Sequence, residues 1–170
     1  RLILAGSSSE AYGWIFKLLC EPGESVLAPK PSYPLFDCLA ELDSVRLEHY
    51  SLIEADGWRI DFEGIESKAS PRVRAIILVN PNNPTGSYIH EEDWATLIAL
   101  AARRGWAVIS DEVFFDYQWR PASRRSGIKA QSEALVLTLS GLSKSIGLPQ
   151  MKLGWIHASG PCGLLKEALE

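Results

Sequence analysis

The stretch SGLSKSIGLPQMKLGW (residues 140–155) is a turn rich in serine and glycine that carries two lysines, eight positions apart. It separates the short apolar segments ALVLTL (134–139) and LGWIH (153–157), whose residue types favour β-strands. Parallel neighbours need a long crossover, usually a helix, and this turn is too short and too interrupted by glycine to supply one. The stretch therefore predicts two antiparallel strands with Lys144 in the turn between them.

The rest of the chain alternates short apolar segments with longer amphipathic ones, which is typical of a sheet wrapped by crossover helices. Strands are predicted at 1–5, 25–29, 45–50, 74–79, 106–110, 134–139 and 153–157, and helices at 9–20, 34–42 and 91–104. In the first helix, Tyr12, Ile15, Phe16 and Leu19 share one apolar face. The expected fold is α/β: a three-layer α/β/α sandwich with a seven-stranded, mostly parallel sheet whose last strand is antiparallel.

Composition limits the classes of partner. The 170 residues are 46% hydrophobic and 22% charged, enough for one sizeable core, and the net charge of −4 includes no basic stripe for nucleic acid. Apolar runs such as 76–79 are far below the roughly 20 residues of a membrane span. Cys20, Cys38 and Cys162 lack metal-ligand spacing and are interpreted as reduced thiols of a cytoplasmic protein.

Polar loops follow three predicted strands, and ligands of open α/β sheets bind at such strand ends. The first is AGSSSEA (5–11), where Ser7, Ser8 and Ser9 precede a helix. Backbone N–H groups, hydroxyls and the positive end of the helix dipole make such a loop a candidate phosphate site. The same serines also suit ordinary N-capping, and the loop alone does not separate these interpretations.

The other two loops place polar side chains at the ends of apolar strands. VNPNNPTG (79–86) is a stiff turn whose asparagines face the sheet edge or serve only the turn itself. ISDEVFFDY (109–117) brings Asp111 directly off an apolar strand. A carboxylate at that depth needs a partner, either a ligand, a helix cap or an ion pair.

Taken together, NPNNPTG, the acid of ISDE and the lysine of SGLSK resemble the motifs of the class I/II aminotransferases, in that family's order and spacing. These enzymes have the type I fold of proteins that depend on pyridoxal 5'-phosphate (PLP). The resemblance covers almost the whole chain. It implies a PLP-dependent aminotransferase that moves an amino group between an amino acid and a 2-oxo acid, and that is a homodimer when full length.

The same resemblance implies that residues 1–170 are the core of the PLP-binding large domain, with the N- and C-terminal segments of the small domain outside it. The chain starts inside a predicted strand and ends inside a predicted helix. We therefore expect a fragment that folds, holds PLP weakly or not at all, and has no measurable transaminase activity alone, because small-domain closure and part of the dimer interface are missing.

The resemblance also implies roles for individual residues. Lys144 matches the lysine that forms a Schiff base with PLP, and partial burial beside other cations would favour the neutral amine that this reaction needs. Asp111 matches the acid that pairs with the pyridine nitrogen and so keeps the ring an electron sink. Asn83 matches the donor to the phenolic oxygen. Tyr33 matches the aromatic ring that stacks on the pyridine, although it also suits core packing.

For the cofactor's phosphate, the resemblance implies Ser7, Ser8 and Ser9 on the strand-to-helix loop, together with Lys152. The family usually has arginine at the position of Lys152. Lysine keeps the charge but loses the bidentate geometry of the guanidinium group. We therefore expect a phosphate that is held slightly less rigidly than in most of the family.

Two further positions depart from the family pattern. Phe114 stands where the family usually has a tyrosine that bonds the phenolic oxygen, so one hydrogen bond to the cofactor is lost. Gly141 stands where the family commonly has serine, which leaves Ser140 or Ser143 as substitutes. We expect PLP still to bind, with altered protonation behaviour at the lysine–cofactor bond.

Two other interpretations remain. A different PLP enzyme of the same fold, such as a carbon–sulfur β-lyase or a decarboxylase, would use the same cofactor residues, because the bond that breaks depends on substrate orientation. A ligand-sensing domain of a regulator would keep the fold without catalysis. The residues that select the amino acid are expected outside this chain, so its identity stays open.

Overall fold

The computed structural model describes residues 1–55, 57–118, 127 and 132–169. Its strands are β1 Leu2–Ala5, β2 Ser25–Lys30, β3 Arg46–Glu54, β4 Trp58–Ile60, β5 Val73–Val79, β6 Ala107–Asp111, β7 Val136–Gly141 and β8 Gly154–Ser159. Its helices are α1 Ser8–Leu19, α2 Leu35–Leu42, α3 Phe62–Lys68, α4 Glu91–Arg104, α5 Leu142–Ser145 and α6 Cys162–Leu169. The described strands form one sheet in the order β1-β8-β7-β6-β5-β2-β3-β4.

The sheet is parallel from β7 through β6, β5 and β2 to β3. β8 runs antiparallel to both of its neighbours, β7 and β1, which confirms the prediction made from the turn at 140–152. The prediction of seven strands is wrong by one among the described residues. β4 pairs antiparallel with β3 at the sheet edge, and its three residues are too short to show an alternating pattern.

Helices cover both faces of the sheet, which confirms the three-layer α/β/α architecture. On one face, α1 and α2 pack against alternate strand residues such as Val26 and Ile77. On the other face, α3 and α4 pack against the intervening residues, Leu27 and Ile76 among them. Successive strand residues thus point to opposite faces of the sheet, and each face has its own hydrophobic core. None of the described helices combines the length and apolar character of a membrane span.

Two glycines bring the start of β8 against the start of α1. Gly141 and Gly154 are paired across β7 and β8. A Cβ atom on Gly141 would lie 3.0 Å from the carbonyl oxygen of Leu153, and one on Gly154 would lie 3.2 Å from the backbone nitrogen of Ser8. A Cβ atom at either position would be closer than ordinary van der Waals contact, so glycine lets these backbone segments approach without displacement. The turn with the lysines therefore lies directly beside the serine-rich loop.

Candidate active site

A cleft of about 380 Å³ opens at the carboxyl ends of β5, β6 and β7. Its lining includes all predicted site residues except Ser140: Ser7, Ser8, Ser9, Tyr33, Asn83, Asp111, Phe114, Ser143, Lys144 and Lys152. The hydroxyl of Ser140 instead donates to the backbone carbonyl of Glu112 at 3.4 Å. Of the two serines considered as substitutes for the family's serine at position 141, Ser143 is the one that lines the cleft.

The serine loop (residues 6–9) caps α1 and leaves donors free at the helix start. Ser7 is the N-cap, and its hydroxyl oxygen accepts from the backbone N–H of Glu10 at 3.1 Å. The carboxylate of Glu10 accepts in turn from the N–H of Gly6 at 2.6 Å. Ser8 and Ser9 begin the helix, where backbone N–H groups have no acceptor within the helix. The loop thus caps the helix and also keeps N–H donors at its start, so capping does not exclude the predicted phosphate site.

Asp111 is the last residue of β6 and is almost fully buried. One of its carboxylate oxygens accepts from the hydroxyl of Tyr12 at 2.9 Å, and the other accepts from the N–H of Val113 at 3.2 Å. Burial raises the pKa of this carboxyl above its ordinary value, while the two hydrogen bonds act in the opposite direction. The partners that this buried carboxylate needs are therefore a phenol and a backbone N–H. The carboxylate also lines the cleft.

The neighbouring acid, Glu112, does not line the cleft. Its carboxylate accepts from the hydroxyl of Ser110 at 2.9 Å and from the N–H of Gly127 at 2.7 Å. Successive side chains at the end of a strand point to opposite faces. The SDE sequence therefore supplies one acid to the cleft and one to the packing behind it.

Sequence reasoning missed Tyr12 as a site residue, because its position on the apolar face of α1 was interpreted only as core. Its ring is 2% exposed, and the residue lines the cleft. Two signals could have identified it. A buried tyrosine hydroxyl needs a polar partner, and Tyr12 lies one helical turn after Ser8, on the same side of the helix.

Lys144 lies in α5, lines the cleft beside Phe114, and contacts two aromatic residues. Its ammonium nitrogen is 5.7 Å from the centre of the Phe114 ring, within range of a cation–π contact. The hydroxyl of Tyr117 donates to the backbone carbonyl of Lys144 at 2.6 Å, and the Phe114 and Tyr117 rings meet edge to face at 5.7 Å. The expectation of partial burial is wrong for the described chain, since Lys144 is exposed on the open side of the cleft.

The two asparagines of NPNNPTG have different surroundings. Asn83 lines the cleft and is half-buried. The side chain of Asn82 turns away, donating to the carbonyl of Pro31 at 3.0 Å and accepting from the hydroxyl of Ser32 at 3.1 Å. Asn82 therefore fixes the loop that carries Tyr33. The Tyr33 ring is 45% exposed at the cleft, so core packing does not explain it.

The backbone register places this asparagine turn beside the buried acid. β5 and β6 pair Val79 with Asp111. The N–H of Asn80 then donates to the carbonyl of Asp111 at 2.8 Å. Because both strands end at the same level, their loops open into one cleft.

Lys152 ends a short 3₁₀ turn, Pro149–Met151, in the left-handed backbone region with φ 49° and ψ 46°. A non-glycine residue in this region costs roughly 1–2 kcal/mol, so the surrounding contacts must impose the conformation. Its carbonyl would lie 3.9 Å from a Cβ atom built on Gly6, which places Lys152 beside the serine loop. A cation and a helix N-terminus thus lie at the same end of the cleft.

The chain as a whole is similar to known proteins of one family. The family model for aminotransferase class I and II matches residues 1–167. The chain is 29% identical over 160 residues to the glutamate–pyruvate aminotransferase of Escherichia coli strain K12, covering 94% of this chain and 40% of that protein. It is 32% identical over 166 residues to the S-alkyl-thiohydroximate lyase of Arabidopsis thaliana, covering 97% of this chain and 36% of that protein.

Among solved structures, alanine aminotransferase from Pyrococcus furiosus matches with a TM-score of 0.90 and 29% identity, covering 98% of this chain and 42% of that one. The tyrosine aminotransferase of Leishmania infantum shares the fold, with a TM-score of 0.92 at 21% identity. The chain thus spans about two fifths of the length of the curated relatives it matches, 40% in the Escherichia coli case.

Proposed function

Since the chain belongs to the class I and II aminotransferase family, we propose that the protein carrying it transfers an amino group between an amino acid and a 2-oxo acid with PLP as cofactor. The observation that supports this most directly is the convergence of four groups in one cleft. They are a buried acid, a half-buried amide, a lysine, and a helix N-terminus with a second cation. Each has a counterpart in the chemistry of PLP.

The donor set of the cleft fits PLP group by group. The serine loop and Lys152 offer N–H groups, hydroxyls and a positive charge to the phosphate. Asp111 offers a carboxylate to the pyridine nitrogen, and Asn83 an amide to the phenolic oxygen. Lys144 offers its amine to the aldehyde.

In this proposal each residue of the cleft has a separate role. PLP, when bound, supplies an electron sink for the electron pair that is left at the substrate's α-carbon. Lys144 would hold the cofactor through its amine, and that amine would accept and return the proton at the substrate's α-carbon. Asp111 keeps the ring nitrogen protonated, and Asn83 and the serine loop orient the ring.

A carbon–sulfur lyase is the second candidate, because one relative of this chain, at 32% identity, is named as a lyase. Both reactions would use the same residues to hold the cofactor, and they would differ in how the rest of the site orients the substrate. Release of a thiol from an S-substituted substrate, without amino transfer to a 2-oxo acid, would favour the lyase.

We further propose that residues 1–170 form the core of the PLP-binding large domain of a cytoplasmic homodimer. Support comes from coverage, since the relatives extend well beyond the matched 40% of their length. In this view the small domain supplies the residues that hold the substrate's α-carboxylate, and its closure excludes water from the site. Light scattering of the complete gene product would test the dimer.

The function is tested by mixing the complete gene product with PLP and a panel of amino acids and 2-oxo acids, and by following the new amino acid formed. We expect a visible absorbance band with PLP alone and amino transfer for at least one pair. Absence of the band, or release of thiol or carbon dioxide in place of transfer, would contradict the proposal.

Lys152→Ala is expected to weaken PLP binding by about tenfold or more, because a charge-assisted contact to the phosphate is lost. Lys152→Arg should bind at least as well as the native protein. Titration of the visible band gives the dissociation constants, and pyridoxal without phosphate should bind both variants equally. Lys17→Ala is the matched control, since Lys17 pairs with Asp43 outside the cleft. Equal losses of PLP affinity in Lys17→Ala and Lys152→Ala would contradict the assignment of Lys152 to the phosphate.

A further inference from the structure

We propose that Tyr12 is a positioning residue for Asp111, holding the carboxylate charged and aimed at the ring nitrogen of the cofactor. The inference rests on the proposed function, since it assumes that PLP occupies the cleft. It adds a residue that the motifs do not contain. Tyr12 acts through Asp111, to which its hydroxyl donates at 2.9 Å.

The contact fixes the carboxylate from two directions. Tyr12 donates to one oxygen, and the N–H of Val113 donates to the other. Each carboxylate oxygen accepts more than one hydrogen bond, so acceptor capacity remains on the cleft side. Two donors on separate elements, α1 and the segment after β6, restrict rotation of the carboxylate, and the free side faces the cleft that Asp111 lines.

Tyr12 itself is held firmly. Its ring packs against Phe16 at 5.8 Å and against Phe36 at 5.2 Å between ring centres, with tilted planes. At 2% exposure, the hydroxyl would lose a hydrogen bond if it left Asp111, which costs about 1–3 kcal/mol. The phenol and the carboxylate therefore determine each other's positions.

The hydrogen bond from Tyr12 also affects the protonation state of Asp111. Burial raises the pKa of Asp111 and so favours the neutral acid, whereas donation from Val113 and Tyr12 favours the carboxylate. Burial and the charge of Asp111 raise the pKa of Tyr12 well above its ordinary value, so the phenol stays a donor. A charged carboxylate is the form that pairs with a protonated ring nitrogen.

Tyr12 also connects two parts of the site. It lies on α1, whose first residues belong to the serine loop. The same helix thus presents N–H groups to the proposed phosphate position and a phenol to Asp111. A shift of α1 would move both together.

The experiment compares Tyr12→Phe with the native gene product in two titrations, one with PLP and one with 1-deaza-PLP, which has carbon in place of the ring nitrogen. We expect Tyr12→Phe to weaken PLP binding about fivefold and to leave binding of the deaza analogue unchanged. Tyr50→Phe is the matched control: Tyr50 is equally buried and donates to the carbonyl of Ile77 at 2.8 Å, away from the cleft. It should bind both cofactors as the native protein does.

The outcomes separate the inference from its premise. If the native protein does not bind PLP, the proposed function fails. If it binds PLP and Tyr12→Phe binds both cofactors like the native protein, or loses affinity for both equally, Tyr12 has only a structural role and the inference fails. Tyr12→Met removes the hydroxyl in a second way and undergoes the same titrations, so that the result does not depend on the folding of one variant.

Discussion

Lys144→Ala is expected to abolish covalent capture of PLP by borohydride and to lower the rate of amino transfer by about a thousandfold or more, because the chain loses both its nucleophile and its proton carrier. Borohydride reduction followed by peptide mapping locates the captured cofactor. Lys144 is exposed and lies in a four-residue helix, so truncation removes little packing. Thermal unfolding should therefore stay close to that of the native protein.

Lys144→Arg separates charge from nucleophilicity. A guanidinium group keeps the positive charge over the Phe114 ring but does not lose its proton, so it cannot bond the aldehyde. We expect this variant to be as inactive as Lys144→Ala while still binding PLP noncovalently. Capture at Lys152 or Lys30 in the native protein, or normal turnover of either Lys144 variant, would show that the nucleophile is misassigned.

The sequence alone predicted the parts of the site that local pattern determines. Asp111 follows an apolar strand directly, and Asn83 and Lys144 follow two others, so their convergence results from parallel strands ending at one edge. The antiparallel β8 was predictable for a similar reason, because the turn before it is broken by glycine. Their roles at a cofactor remain predictions that the titrations and variants above address.

Other features could not be read from local pattern. β4 is three residues long and exists because β3 continues to Glu54, beyond its predicted end at residue 50, and offers an edge to pair with. The contact between Tyr12 and Asp111 joins residues far apart in the chain, so neither segment contains it. The exposure of Lys144 likewise depends on which elements surround the cleft, and these are distant from it in sequence, as the contacts with Phe114 and Tyr117 show.

The aromatic residues after Asp111 show that the effect of a departure from a motif depends on three-dimensional contacts. From the sequence, Phe114 in place of tyrosine predicts only the loss of a hydrogen bond to the cofactor. In the structure its ring faces the lysine's ammonium group, and the hydroxyl of Tyr117, three residues later, reaches the lysine's backbone carbonyl. The phenol in this segment thus contacts the lysine's main chain, and the residue that lines the cleft, Phe114, is apolar.

Asp111→Ala is expected to preserve much of the PLP binding yet nearly abolish turnover. The serine loop, Lys152 and the bond to Lys144 still hold the cofactor, so affinity should fall by only about 10- to 100-fold, the worth of one hydrogen bond to a charged group. At saturating PLP the enzyme remains loaded. Without a carboxylate the ring nitrogen loses its proton and with it most of the electron sink, and we expect the rate to fall by about a thousandfold or more.

Asp111→Asn distinguishes charge from packing in the same experiment. The amide has the size of the carboxylate and its oxygen can still accept from Tyr12, so the buried phenol stays paired. The substitution removes the charge that holds the ring nitrogen protonated, together with the hydrogen bond from the N–H of Val113. Turnover at saturating PLP should therefore fall as far as in Asp111→Ala, while the unfolding temperature stays nearer the native value. Native turnover in Asp111→Asn would mean that the charge of this acid plays no part in the reaction.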